Sequence, residues 1–360
     1  MPSLKEIKGR INSISSTLAI TSAMKMVASA KLQKAQMAIQ NMLPYERRLY
    51  SMLVDLMGAM NISAAASEDG SVRGSGSAER GFDQSGDRLS LSNRHDLAGM
   101  DGAYSLMAQR EVRKVAIVAF ASNSSLCGAF NSNVIREATA VINEYRASGL
   151  GDADITVYSV GRKMAEAMKK LGFPSPADFT KMSDSPSYDA ASALAQELFD
   201  GFVSGRFDKV ELVYNHYKST SSQPTTRQTY LPLSLADAIA DLQAGKIADS
   251  ASESDTNRGA EPVGAPVVRQ GSPTAEASDL IVEPSKEELI ATLLPKVIRL
   301  RIFTTLLDNA AAEHAARTVA MQLATDNGND LLQELTLEYN KGRQQKITSE
   351  ILDLVGGSMQ

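Results

Sequence analysis

Residues 300–355 contain no proline, and Gly328 and Gly342 are their only glycines. A helix over the last 60 residues would run about 90 Å at 1.5 Å per residue. An isolated helix of that length needs a second long helix beside it. The other end of the chain supplies one. Leu4, Ile7, Ile11, Ile14 and Leu18 step by three and four. The pattern continues through Thr21, stumbles at Lys25, and resumes at Ala28, Leu32, Ala35, Ile39 and Met42. This is a heptad seam. Two long helices from opposite chain ends predict an antiparallel coiled coil, a shaft carrying whatever folds between them.

The punctuation fits that reading. Ser3 and Glu6 form a capping box behind Pro2 and start the first helix almost at once. Pro44 predicts a kink or stop, with residues 45–57 as a further helical piece. Ser285 and Glu288 make a second capping box, Pro295 punctuates the start of the terminal helix, and Gly356 and Gly357 end it.

Between the helices the pattern changes twice. Residues 63–102 and 245–277 are rich in Gly, Ser, Asp and Ala without periodicity, and read as low-complexity insertions. Residues 114–120 (KVAIVAF) and 155–160 predict buried strands, each followed by a helix. Residues 188–203 form another amphipathic helix. Residues 209–217 and 226–231 predict an antiparallel strand pair, and Ser234 caps a short helix to Gln243. Strands alternating with helices mean an α/β layer domain. The expected division is a shaft helix over 1–60, an insertion over 61–105, a Rossmann-like α/β foot over 106–244, an insertion over 245–280, and the second shaft helix over 281–360.

Charge is uneven. The chain carries a formal −5, yet residues 1–48 hold eight bases and two acids. The overall acidity argues against general nucleic-acid binding, while a basic helix on an acidic chain implies an acidic partner surface, anionic lipid or nucleic acid, with a solvated polar face opposite the seam as the plainer reading. Cys127 is the single cysteine, so no intramolecular disulfide forms. No apolar run reaches bilayer-spanning length.

Motifs for chemistry are missing. Neither a G-x-x-x-x-G-K-[ST] loop nor G-x-G-x-x-G follows the first strand. The loop from Ser122 to Asn131 sits where a doubly wound sheet would take a ligand, but one glycine reads as a plain strand-to-helix connection. Cys127 reads as a buried thiol. His95, His216 and His314 lie far apart and lack metal-ligand spacing. No catalytic, cofactor or metal site is expected.

Three blocks of residues resemble the gamma subunit family of F-type rotary ATP synthases. They are Leu4 to Ile11 with Ile20 to Lys31, the Ser122 to Asn131 loop with its Leu126-Cys127-Gly128, and the C-terminal runs Glu313 to Arg317, Ala324 to Asn327, Leu335 to Lys341 and Arg343 to Glu350. The loop departs from the family pattern: Asn123-Ser124-Ser125 replaces an acid-base pair and glycine. The cysteine-paired regulatory insertion of photosynthetic relatives cannot operate with Cys127 alone.

The resemblance implies a non-catalytic rotor that binds no cofactor. Three alpha and three beta subunits would surround the shaft. The epsilon subunit and the c-subunit ring would bind the foot, placing the chain on the cytoplasmic face of a bacterial inner membrane as a peripheral protein. By family position Met24 and Lys25 face Gln344, Thr348 and Glu350, and together with Arg343 form a bearing that couples rotation to the beta subunits. The alternative is a coiled-coil adaptor with an α/β head, unrelated to energy coupling. The insertions are expected to be dispensable for assembly.

Overall fold

The computed structural model describes residues 3–59, 106, 110–233 and 286–357. Two long helices frame them: α1 (Leu4–Ala59) and α6 (Lys286–Gly357). The foot between them runs β1 (Val115–Phe120), α2 (Phe130–Ala147), β2 (Ile155–Val160), α3 (Arg162–Lys170), α4 (Thr180–Asp184), α5 (Tyr188–Val203), β3 (Lys209–Asn215) and β4 (Thr225–Leu231). Both insertions, the short helix after Ser234 and the Ser285 cap fall outside the described residues.

The sheet order is β2-β1-β3-β4. β1 runs parallel to β2 and to β3, while β4 returns antiparallel along β3. All six residues of β1 are buried, as expected for the centre of a sheet covered on both faces. Period-two alternation divides them. Val115, Ile117 and Ala119 face α2 and α3, packing with Val134, Val141, Ile142, Met164 and Met168. Ala116, Val118 and Phe120 face the other way, with Leu194, Leu198 and Phe202 of α5, Leu49 and Leu53 of α1, and Ile298, Ile302 and Leu306 of α6. The shaft therefore grows out of the core of the foot. Tyr230, fully buried on β4, donates from its hydroxyl to the Ile298 carbonyl at 2.9 Å and ties the sheet edge to α6.

The prolines do not stop the helices. Pro44 lies inside α1 and Pro295 inside α6. Losing one backbone bond costs about 3 kcal/mol. Burying Leu49, Leu53 and Leu56 beyond Pro44 offsets it, at about 1.5–3 kcal/mol per side chain. The capping box at the start of α1 is half formed. Ser3 Oγ accepts the Glu6 amide at 3.2 Å, but the Glu6 carboxylate turns away to pair with Arg10 at 2.9 Å.

The two long helices pair in the antiparallel sense in one fixed register. Thr325 donates to Thr21 across the seam at 3.0 Å. Three residues back along α1, Leu18 sits against Gly328, three residues forward along α6. Fourteen residues further back, Leu4 sits against Gly342, fourteen further forward. Gly328 and Gly342 are thus sockets for leucine knobs two heptads apart. A Cβ on Gly328 would lie 2.6 Å from Leu18 Cδ2, and on Gly342 3.1 Å from Leu4 Cδ2. Gly328→Ile should therefore wedge the helices apart and cost about 1–3 kcal/mol. Denaturant unfolding of the full chain measures this, and unchanged stability would show the socket to be slack.

Candidate functional site

The working surfaces of this molecule are the shaft and its joint to the foot. Every expected seam position of α1, from Leu4 to Met42, is buried or half-buried, Lys25 included. The matching seam of α6 runs through Met321, Thr325, Gly328, Leu332, Leu335, Tyr339 and Gly342, again stepping by four and three. Near the foot α6 is buried almost all round, over residues 305–313, because it is enclosed by α1 and the sheet. There the seam is thin: Leu32 packs against Ala311 and Ala315. At the far end α6 outruns α1. Ile347, Ile351, Leu352, Leu354 and Val355 lie past the level of Leu4 and are 48–75% exposed. That is an exposed apolar tip.

The residues expected to form a bearing do not meet. The register that sets Thr21 against Thr325 puts Met24 at the level of Gln322 and Lys25 at that of Met321. Gln344 lies 22 residues further along α6 than Gln322, about 33 Å up the axis. Met24 and Lys25 therefore do not face Gln344, Thr348 and Glu350. A fixed antiparallel register leaves no way to bring the two groups together. Met24 is 39% exposed at mid-shaft. Arg343, Gln344, Thr348 and Glu350 are exposed near the tip. Thr348 bonds back to the Gln344 carbonyl at 2.9 Å, and Glu350 pairs with Lys346 at 3.7 Å.

The joint is built from the end of β3 and from the loop after β1. Asp308 of α6 accepts the Tyr217 amide at 2.9 Å and meets His216 Nδ1 at 2.6 Å. Asn309 accepts the Asn215 amide at 3.3 Å. The Tyr217 hydroxyl accepts from Gln36 of α1 at 2.7 Å, so one loop touches both shaft helices. From the β1 loop, Ser124 Oγ accepts from Arg317 at 2.6 Å, while Arg317 pairs with the buried Glu313 at 2.8 Å. Burial raises the Glu313 carboxyl, and Arg317 opposes the rise. His314 is pushed down to about 4 by burial and by the nearby Arg317 and Lys31, so it is neutral at physiological pH.

The β1 loop closes on itself. Asn131 Oδ1 accepts from the Ser122 amide, and its Nδ2 donates to the Ser124 carbonyl. Leu126 adopts a left-handed φ of 69°. Asn123, in the position where the family pattern is altered, donates to the Thr180 carbonyl at 2.7 Å and accepts the Arg162 amide at 2.7 Å. The first amide of α3, a helix N-terminus of the kind that can hold a phosphate, is capped by the chain's own asparagine. Gly161 lets this crevice close: a Cβ there would fall 2.1 Å from the Ala121 carbonyl oxygen. Cys127 is buried against Phe130 and Ala312, and burial raises its thiol, which stays protonated. Among the described residues no group of three or more His, Cys, Asp or Glu is placed to hold a metal, and no helix is long and apolar enough to cross a membrane.

Asp308, Asn309 and Tyr217 were not singled out by sequence reasoning, and His216 was weighed only as a metal ligand. Their signal was faint: a charged residue and an amide side by side on a helix face that is otherwise apolar. The glycine sockets were visible as the only two glycines of the terminal run, without the register that gives them meaning.

The ATP synthase family model matches residues 3–359. A Phocaeicola vulgatus protein named ATP synthase gamma chain is 47% identical, over 100% of this chain and 100% of its own length. A Bacteroides thetaiotaomicron protein of the same name is 45% identical, again over 100% of both. Among solved structures, a chain of the Euglena gracilis mitochondrial ATP synthase complex of OSCP, F1 and c-ring is similar in fold, with a TM-score of 0.52 and 18% identity over 99% of this chain and 93% of that one.

Proposed function

The chain belongs to the ATP synthase gamma-chain family, and we propose that it works as the central rotor of an F-type ATP synthase. The observation that carries this reading is the shaft itself. One helix 72 residues long is rooted in the foot core, braced by α1 as far as Gly342, and ends in an exposed apolar tip. Such a tip calls for a surrounding apolar collar. The alpha and beta subunits, three of each, supply the collar, and the basic α1 complements acidic surfaces of the beta subunits. The foot binds the epsilon subunit and the c-ring, at the cytoplasmic face of the membrane. Ion flow turns ring and foot, and the asymmetric shaft moves each beta subunit through its states.

The chain contributes no catalytic group in this reading. ATP chemistry belongs to the beta subunits, and the gamma chain transmits work. We propose the division read from the sequence: shaft segments over 1–60 and 281–360, insertions over 61–105 and 245–280, and a foot over 106–244. Met24 and Lys25 at mid-shaft, and Arg343, Gln344, Thr348 and Glu350 near the tip, form two separate coupling levels rather than one bearing. The adaptor alternative is not favoured, because the family match extends over the whole chain.

Purification of the tagged chain from its native membrane tests the reading. The expected result is one large assembly containing alpha, beta, epsilon and c subunits, with ATP hydrolysis and ATP-driven ion pumping. Recovery of the chain without alpha and beta would sink it.

A further inference from the structure

Torque between foot and shaft must cross contacts that resist sliding. Apolar packing is non-directional and resists separation more than shear. Hydrogen bonds to a charged acceptor are directional and about twice as strong as neutral ones. The joint holds one such acceptor with both oxygens in use. Asp308 Oδ1 takes the Tyr217 amide at 2.9 Å, and Oδ2 meets His216 Nδ1 at 2.6 Å. With Asn309 on the Asn215 amide, two consecutive residues of α6 grip three consecutive residues at the end of β3. The gripped end is itself anchored in the foot: Asn215 donates to the Phe130 carbonyl of α2 at 3.2 Å and accepts from Thr225 of β4 at 2.8 Å.

We propose that Asp308 is the positioning residue that locks the foot to the shaft against shear, with His216 as the proton-dependent half of the lock. The proposal rests on the rotor reading given above. Asp308 from α6 and Lys218 from the same loop are the charged groups facing His216 among the described residues. From α1 the side chain reaching this corner is Gln36, which is uncharged. The hydrogen bond to Asp308 raises the His216 imidazole above its ordinary value, against the lowering effects of burial and Lys218. A raised imidazole stabilises the joint fully below about pH 6.5, and that stabilisation is lost as pH climbs through the raised value. The Tyr217–Asp308 bond persists at high pH, so the lock loosens without opening.

Amide hydrogen exchange on the purified native complex reads the lock directly. Protection of the peptide containing Tyr217, corrected for the intrinsic exchange rate, is compared at about pH 6 and about pH 8.5, either side of the histidine range. Wild type should lose about threefold in protection at the higher pH, the size of a half-exposed ion pair. His216→Gln should show the same low protection at both. Asp308→Asn, which keeps an acceptor for the Tyr217 amide, should be less protected throughout, and its membranes should pump fewer ions per ATP hydrolysed. A His216→Gln complex that retains the wild-type pH step overturns the assignment of His216. An Asp308→Asn complex with wild-type protection and pumping overturns the lock. Failure of the rotor reading would register separately, as absence of the wild-type chain from the complex.

Discussion

Glu211→Ala is expected to destabilise the foot by about 3 kcal/mol, because it removes one partner of a buried ion pair. Glu211 is 1% exposed on β3. Four donors converge on its carboxylate: Arg227 Nε at 2.7 Å, Arg227 Nη2 at 3.1 Å, the Tyr145 hydroxyl at 2.7 Å and Lys209 Nζ at 2.6 Å. Burial pushes the carboxyl up, but the hydrogen bonds from Arg227, Lys209 and Tyr145 outweigh it and the net direction is down. Truncation leaves Arg227 and Lys209 over the Tyr145 ring without their central counter-charge. A depressed carboxylate contributes stability above its ordinary value near 4.5 and loses it as pH falls through the depressed one. The wild-type chain should therefore lose stability on acidification, and Glu211→Ala should lose less over the same range. Denaturant melts of both chains at neutral and acid pH check the two statements together. A neutral-pH difference below about 1 kcal/mol would mean that the two cations are well solvated without Glu211.

The second large effect is expected at the waist of the shaft. Ala311 is fully buried and packs with Leu32, Ala35, Ile39 and Tyr217. Ala311→Asp would place a charge in an apolar seam, at a cost of several kcal/mol per unpaired ion. The helices should separate locally, since that is the only route to water. The checking measurement is a disulfide between cysteines placed at Thr21 and Thr325, whose hydroxyls lie 3.0 Å apart. It should form readily in an otherwise wild-type shaft carrying Cys127→Ser, and slowly when Ala311→Asp is added. ATP-driven pumping should fall in the same variant. Equal crosslinking rates would show that the waist absorbs the charge by other means.

Much of the architecture was legible before the structure. The seam from Leu4 to Met42 is the less exposed face of α1 at every named position, including the polar step at Lys25. The α/β strands fall where apolar runs end at turn residues, and Ser3 caps α1 by accepting the Glu6 amide. These features are local, so periodicity and capping chemistry reveal them. Pro44 does not stop the helix, and residues 45–57 continue it as expected, because propensity is a local cost whereas the burial of Leu49, Leu53 and Leu56 is a tertiary gain.

The functional surfaces were harder to read for the same reason. Pairing Met24 with Gln344 required a register, and a heptad seam slides by whole heptads without changing its pattern. Leu18 in the Gly328 socket fixes the register, and only the assembled pair displays that contact. The Asp308 joint joins residues 92 apart in sequence, and no spacing rule links His216 to an acid on another element.

Rotation of the foot under ATP tests the central claim most directly. A probe fixed to a cysteine at the exposed Lys169 position of α3, on a complex immobilised through its alpha and beta subunits, would report the angle of the foot during hydrolysis. The rotor account predicts stepwise turning in one direction that stops when ATP is withdrawn. Steady ATP hydrolysis with a stationary foot would contradict it.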